Sequence, residues 1–503
     1  MALFLGLDIG TTSTVGILID AEGHTLAVAS RPATLQSAQA NWAEEDPEEW
    51  WQNVRSIVRE LMSGSGASSS MLAGIGVTGM LPAVILLDGK GRPIRRSIQQ
   101  NDARALKELE LFRSGMSEEE FVMLTGTGYS QQLVGPKLMW LKRHEPNHFK
   151  SARHVVGASD YVTSQLTSTI QVEHNWALES GFVNIATGTY DERLLELSGI
   201  EPSLLPPIRK SQEQVGVVTA EAAAQLGIKP GVPVVAGCAD HVASAFVCGA
   251  SMNGDLVIKF GGSADILLSS DRPVKDRRLY IDHHIVPGLF FSNGCMAAGG
   301  NLLNWIVDRL ASGEAQASAA AGMQPHQWLD RLAAKSDTEL LFLPYVLGEK
   351  TPLMDPYAKG TLVGLGLHHG IGDIWRAALE GIVFGMRHHV DVFTQNGLEI
   401  SRVFAADGGA ASDLWLEIAA DVLERPVKRI ARHPGSCLGA AFLAGKASGA
   451  IGDWDRIAEY VEEDRSFEPK PARSRRYLGK YASWRETYER LKTLYPRLHE
   501  FAT

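Results

Sequence analysis

The sequence predicts an α/β chain of two related lobes, and three observations carry that expectation. Residues 4–20, Phe4-Leu-Gly-Leu-Asp-Ile-Gly-Thr-Thr-Ser-Thr-Val-Gly-Ile-Leu-Ile-Asp20, are an apolar run that contains one carboxylate, breaks on a glycine followed by hydroxyls, and turns apolar again. Residues 256–269, Leu256-Val-Ile-Lys-Phe-Gly-Gly-Ser-Ala-Asp-Ile-Leu-Leu-Ser269, repeat that design. For one such stretch an ordinary hairpin with a polar turn is a sufficient reading; the repetition is what suggests two lobes, each with its own phosphate-facing turn. The third observation is length, since 503 residues exceed what a single core accommodates.

In the first stretch, the runs Leu3–Leu7 and Val15–Ile19 are too short for core helices and rich in branched side chains, so they read as strands with Gly10 at the tip. Asp8 then sits at a strand end, where a carboxylate can hold a hydrated Mg²⁺. The N–H groups of Gly10 to Ser13 and the hydroxyls of Thr11, Thr12 and Ser13 can cradle a phosphate. Neither the Walker A pattern nor G-x-G-x-x-G fits this stretch, which argues against a P-loop enzyme and a dinucleotide-dependent oxidoreductase.

The chain continues with a third strand at His24–Ala29 and a helix starting at Pro47, whose Trp50 and Trp51 read as packing residues. Ile75–Asp88 reads as two apolar strands around a turn at Thr78–Pro82, and Gln99–Arg104 as a polar strand-end loop of the kind that carries binding residues. Residues 105–230 alternate helical patterns with short loops. Gly231–Asp240 is a buried strand ending on a carboxylate. Phe404–Trp415 is strand, diglycine and helix, and the bare Gly408-Gly409 lets a flat ring approach the backbone. Gly435–Phe442 begins a small-residue helix suited to close packing between lobes.

Composition narrows the function. Hydrophobic residues at 45% and charged residues at 21% are ordinary for a soluble globular protein. A formal net charge of −10 argues against nucleic acid or an anionic membrane as partner. Four cysteines without C-x-x-C spacing signal neither a disulfide framework nor a zinc site. The histidine pairs 283–284, 368–369 and 388–389 read as surface or interior residues, because neighbours on a helix or strand do not face the same way. No uniformly apolar stretch of about twenty residues and no leader pattern is present, so the cytoplasm is the expected location.

The order of these motifs resembles the FGGY carbohydrate kinases, of the actin, sugar-kinase and heat-shock ATPase superfamily, across nearly the whole chain. Asp8-Ile-Gly-Thr-Thr12 resembles the first phosphate motif and Lys259-Phe-Gly-Gly-Ser263 the second, where Gly262 replaces the usual threonine. Asp407-Gly-Gly-Ala410 resembles the adenosine motif. Gly135-Pro-Lys-Leu-Met-Trp-Leu141 matches one family signature apart from Val134, and Gly360–Leu365 followed by Asp373–Glu380 fits the other. Residues 41–47, 204–207 and 342–352 look most like xylulokinases and their near relatives. Met80-Leu-Pro-Ala83 departs from the Gln-Met-His-Gly typical there and lacks a substrate-facing histidine, and the Arg-Glu pair of glycerol kinases is also missing.

The resemblance implies two ribonuclease H-like (actin-like ATPase) lobes, 1–245 and 246–503, with a cleft between them. It implies transfer of phosphate from ATP, with Mg²⁺, to a primary hydroxyl of a small open-chain sugar such as D-xylulose. A kinase for another ketose, polyol or glycerol is the alternative, and an ATPase switch for a protein partner a more distant one. Asp240 is then the base, Asp8 the metal ligand, and Gly10, Thr11, Thr12, Ser13, Gly261, Gly262 and Ser263 the phosphate ligands. Gly408 and Gly409 lie under the adenosine. Thr78, Met80, Asp102, Arg104 and His241 are candidate sugar contacts. A homodimer is expected only because two-fold assemblies are common.

Overall fold

The computed structural model of the chain describes residues 2–432 and 435–501. Its first sheet begins with the N-terminal hairpin: β1 (Leu3–Ile9) and β2 (Ser13–Asp20) pair antiparallel, with Asp8 opposite Val15. β3 (Thr25–Pro32) extends the meander on the far side of β2. On the other flank β4 (Leu72–Gly79) runs parallel to β1 and sets Thr78 beside Asp8. β5 (Gln214–Val217) forms the edge, antiparallel to β6 (Pro233–Val235), which is parallel to β4. The short β7 (Cys238–Ala239) also pairs with β4.

The second sheet repeats this topology. β8 (Asp255–Phe260), β9 (Ala264–Ser270) and, after an edge strand β10 (Tyr280–His283), β11 (Phe290–Met296) are antiparallel neighbours. β12 (Arg402–Ala406) is parallel to β8, β13 (Val427–Arg432) is parallel to β12, and β14 (Glu462–Phe467) closes the edge. With the edge strands β5, β10 and β14 and the short β7 set aside, both sheets have three antiparallel strands followed by two parallel ones, in the spatial order third, second, first, fourth, fifth. The hairpin turns at Gly10 and Gly261 therefore occupy equivalent places.

Local chemistry explains the helices that flank the sheets. α1 (Pro47–Gly64) starts at Pro47 with the Asp46 carboxylate accepting from the Glu48 N–H at 3.0 Å, and it buries Trp50, Val54, Ile57, Val58 and Leu61 at helical spacing. The Trp50 indole N–H donates to Glu45 at 2.8 Å, so it is a packing residue with a satisfied polar tip. Three more helices matter for the site: α2 (His174–Glu179), α3 (Asp240–Val247) and α4 (Gly300–Arg309). α5 (Ile371–Gln395) and α6 (Ser436–Ala447) complete the frame.

α6 is where the halves of the chain meet. It comes from the C-terminal half yet packs on β1 and β4 of the first sheet, and its Cys437–Ala444 stretch is buried in the first core. A Cβ on Gly6 would lie 1.9 Å from the Cys437 carbonyl, and one on Gly76 would lie 2.0 Å from that of Ala440. Only hydrogen fits at those positions. On its other side Gly439 lies against Ala243 of α3.

Two strand expectations need correction. The two strands expected within Ile75–Asp88 form but do not pair with each other: β4 enters the main sheet, while Ile85–Leu87 pairs with His154–Val156. Met80–Ala83 carries the chain out of the sheet instead of folding it back. The third strand also runs further than His24–Ala29, to Pro32. Among the described residues no helix is long and apolar enough to cross a membrane.

The Gly76→Val variant is expected to lose about 3 kcal/mol or more of unfolding free energy, because the helix backbone opposite cannot yield. Denaturant melts checked against wild type measure it; a change below about 1 kcal/mol would mean that α6 is not held so closely.

Candidate active site

A cleft of about 400 Å³ opens between the sheets, and Asp240, His241, Lys259, Ser263, Glu179 and Asp282 all line it. Asp240 reaches it through a broken strand. Gly237, at φ +86°, separates β6 from β7, and a Cβ there would lie 1.7 Å from the Val77 carbonyl. β7 then pairs beside Thr78 and Gly79, and the chain enters α3 directly at Asp240.

His241 holds the carboxylate from the next position. Its backbone N–H donates to Asp240 Oδ1 at 2.6 Å, and its Nδ1 lies 3.4 Å from the same oxygen. Nε2 is 3.0 Å from Asp282 Oδ2 and 3.9 Å from Glu179 Oε1. Asn293 donates to the same Asp282 oxygen. Burial opposes the charge on His241, but the Asp282 charge, hydrogen bonds to Asp240 and Asp282, and the Glu179 charge outweigh it and hold the imidazole well above its usual value. Burial likewise opposes the charge on Asp240; the His241 hydrogen bond and charge, then Lys259, overcome it and keep this carboxyl below the usual range. Burial first, and then the Asp282 charge, push Glu179 well above the carboxylate range, and its Oε1 is buried without a hydrogen-bond partner.

Asp8, in β1 of the same sheet as β7, lies close enough to Asp240 and Lys259 to feel their charges. Burial, then the charge of Asp240, push its carboxyl up to about 7, against a hydrogen bond from Ser436 and the charge of Lys259. Its Oδ1 is buried with no hydrogen-bond partner. A buried carboxylate oxygen left without a donor fits a hard cation that takes few protein ligands and keeps its waters. The adjoining turn is closed by the Gly10 N–H donating to the Ser13 carbonyl at 3.0 Å, and Thr12 is exposed beside it. In the second turn the carbonyls of Gly261 and Gly262 accept from the N–H groups of Gly299, Gly300 and Asn301 at the start of α4, which pins Ser263 at the cleft.

Four of the five proposed sugar contacts lie elsewhere. Thr78 is fully buried, and its hydroxyl donates to the Cys238 carbonyl at 2.7 Å, locking the strand that delivers Asp240. Met80 turns inward, with its sulfur accepting from Thr11 Oγ1 at 3.5 Å, and the next residue, Leu81, lines the cleft. Asp102 accepts from the Ala43 N–H at 2.6 Å and from Arg104 Nη2 at 2.7 Å. The Arg104 guanidinium sits 3.8 Å from the Trp42 ring centroid and pairs with Glu44 at 2.7 Å, so the pair is consumed in a shielded ion cluster. From that loop it is Gln100 that reaches the cleft, its carbonyl and that of Gln99 held by the buried Lys137 ammonium at 3.4 and 2.8 Å.

Sequence reasoning missed Glu179, Asp282, Asn293 and Lys259. The signal for Lys259 was present: a charged residue inside an apolar strand, two positions before a turn glycine as Asp8 is. Asp282 and Asn293 carried none, because they reach the cleft from two strands at one edge of the second sheet. Asn175 of α2 fixes that edge by pairing both backbone groups of His283, donating at 3.0 Å and accepting at 2.6 Å.

Beyond Asp407 a second recess, of about 610 Å³, is lined by Gly408, Ala410 and Arg429. A Cβ on Gly408 would meet open space, whereas one on Gly409 would lie 2.5 Å from Trp415 and 2.8 Å from Phe260. The two glycines therefore differ: Gly408 leaves the recess open, and Gly409 allows core packing.

For His368-His369 the reason changes, since the two rings do face the same way. In the turn before α5 no helical or strand period separates them; their rings lie 3.9 Å apart and both Nε2 atoms are 3.4 Å from Glu339 Oε1. His369 Nδ1 accepts the Gly366 N–H at 2.9 Å, which places the proton on Nε2 and removes it as a metal ligand.

Residues 3–247 match the N-terminal domain of the FGGY family of carbohydrate kinases, and residues 256–448 match its C-terminal domain. The chain belongs to the FGGY carbohydrate kinases. It is 44% identical to the xylulose kinase of Rhodospirillum rubrum, whose crystal structure superposes with a TM-score of 0.93 over 98% of this chain and 99% of that one. A Bacillus subtilis xylulose kinase is 27% identical, over 100% of this chain and 99% of its own length. A Bacillus licheniformis gluconokinase is 28% identical, over 94% and 93%. As an FGGY kinase the chain is an ATP-dependent sugar phosphotransferase with the two-lobed actin-like ATPase fold.

Two outcomes follow. His241 contributes stability that is complete below its usual value of 6.5 and is lost as pH rises through its elevated value in the fold. The advantage of wild type over His241→Asn in unfolding free energy should thus decline only on the alkaline side of 6.5, as denaturant melts across pH will report. Separately, Gly408→Ala should raise KM for ATP with little effect on melting, while Gly409→Ala should cost roughly 1–3 kcal/mol of stability.

Proposed function

We propose that this kinase phosphorylates a primary hydroxyl of a small uncharged open-chain sugar, a ketopentose such as D-xylulose. The observation that supports it is the carboxylate Asp240 at a helix start between two phosphate-type turns, beside a cluster of hydroxyl-binding groups formed by Glu179, His241, Asp282 and Asn293. The xylulose kinase relatives favour the same sugar. Gluconate is the second reading, because of the gluconokinase relative. A cleft with Asp240, Asp265 and Asp282 in its wall suits a neutral polyol better than a carboxylate anion.

In this reading the chain divides near residues 245–246 into two lobes that close on the substrates. Asp240 orients the sugar hydroxyl and accepts its proton. A depressed carboxyl suffices, since phosphoryl transfer depends on alignment and charge neutralisation more than on a strong base. His241 fixes the carboxylate, and Glu179 and Asn293 fix Asp282. Asp8 would hold Mg²⁺, which would neutralise phosphate charge when bound. Gly10, Thr11, Thr12 and Ser13 would receive phosphate from one side and Gly261, Gly262 and Ser263 from the other, with Gly408 under the adenosine. A cytoplasmic homodimer belongs to the same proposal; sizing in solution tests the assembly.

Asp240→Asn should lower kcat about 10³-fold while ADP binding stays within a factor of three. ADP release measured with D-xylulose, D-ribulose, xylitol, glycerol and gluconate tests the substrate. A preference for gluconate would replace the ketopentose reading, and wild-type-like turnover in Asp240→Asn would remove the base.

A further inference from the structure

Lys259 acts as a charge on Asp240 and Asp8, and it also lines the cleft itself. In β8 it holds the register that Asp8 holds in β1: each stands two residues before the hairpin glycine, pairs antiparallel with the next strand, at Asp265 and Val15 respectively, and has a parallel neighbour on the other side. The two equivalent strand ends thus carry a carboxylate and an ammonium, and the ammonium lines the cleft. Two lysines line that cleft; Lys350 is exposed, whereas the Lys259 side chain is only 13% exposed.

A buried ammonium carries three donors and needs partners for them. Among the described residues Lys259 has one loose ion pair, to Asp407 at 3.8 Å, at the start of the Gly408 turn. Asp265, Asp240 and Asp8 lie close enough to feel its charge. A wall of carboxylates repels a polyphosphate, so a fixed cation is required there in addition to any metal. The neighbouring turn cannot supply more: Gly262 has no hydroxyl, and Asn301 Oδ1 lies 3.0 Å from where a Cβ would be, so no larger side chain enters without displacing it.

We propose that Lys259 is the cationic phosphate ligand of the C-terminal lobe, binding the γ-phosphoryl group as it passes from ATP to the sugar. The sugar oxygen forms the new bond to the γ-phosphorus, the bond from that phosphorus to the β,γ-bridging oxygen breaks with its electron pair leaving on ADP, and the hydroxyl proton goes to Asp240. Lys259 stays protonated throughout and neutralises charge on the non-bridging oxygens. This assignment rests on the kinase reading of the cleft.

The test compares wild type with Lys259→Met and Lys259→Arg. For Lys259→Met, kcat should fall 100-fold or more with KM for the sugar within threefold of wild type. Affinity for a non-hydrolysable ATP analogue should drop at least tenfold and that for ADP less than threefold, and Lys259→Arg should recover part of both losses. Equal loss of analogue and ADP affinity, or kcat within threefold of wild type, overturns the proposal. So does a kcat loss accompanied by an upward shift of the acid limb with analogue affinity intact, which would assign Lys259 to Asp240 alone. If wild type itself phosphorylates none of the sugars, the kinase reading of the cleft fails first, and independently.

Discussion

Everything in the cleft depends on the approach of one helix backbone to one sheet. α6 lies so close to β1 and β4 that Gly6 and Gly76 cannot carry a side chain. This contact brings a helix from the C-terminal half onto the strand that ends in Asp8, and α6 begins with Ser436, whose hydroxyl bonds that carboxylate. The other face of α6 rests on α3, which begins with Asp240. One glycine-lined contact thus sets the spacing of Asp8 and Asp240. Tight packing makes that spacing stiff, since interiors tolerate neither voids nor overlap.

Charge is arranged on the frame in two tiers. In the outer tier Asp102 and Arg104 neutralise one another beneath Trp42 and contribute structure. In the inner tier burial and neighbouring carboxylates push Asp8 and Glu179 up, while His241 and Lys259 hold Asp240 down. His241 and Lys259 are the compensating cations, and each is held by carboxylates from more than one element. Such divergence of ionisation within a small space is typical of sites that bind and move charge.

Repetition made much of the fold readable in the sequence. Each hairpin pairs an apolar run with a glycine turn, and that pattern needs only local sterics and alternation, so β1–β2 and β8–β9 lie where the residues indicate. Capping was equally local at Pro47 and Asp46. The substrate contacts were harder. Thr78, Met80, Asp102 and Arg104 stand in loops and strand ends that look like binding positions, but whether a polar group faces a cleft or a buried partner depends on what packs against it. The Cys238 carbonyl took Thr78, and Trp42 with Glu44 took Arg104. The diglycine carries the same lesson, since Gly408 and Gly409 are identical in sequence terms and opposite in surroundings.

By itself, then, the sequence determined the strand-turn-strand units, the order of motifs and with them the family, because these are set by neighbours within a few residues. Tertiary structure alone decided which polar groups meet. Asp282 and Asn293 arrive on an edge of the second sheet, 41 and 52 positions after His241, and are fixed there by Asn175 from the other half of the chain. No local rule encodes that meeting: it exists only once both sheets are folded and α6 has locked them together.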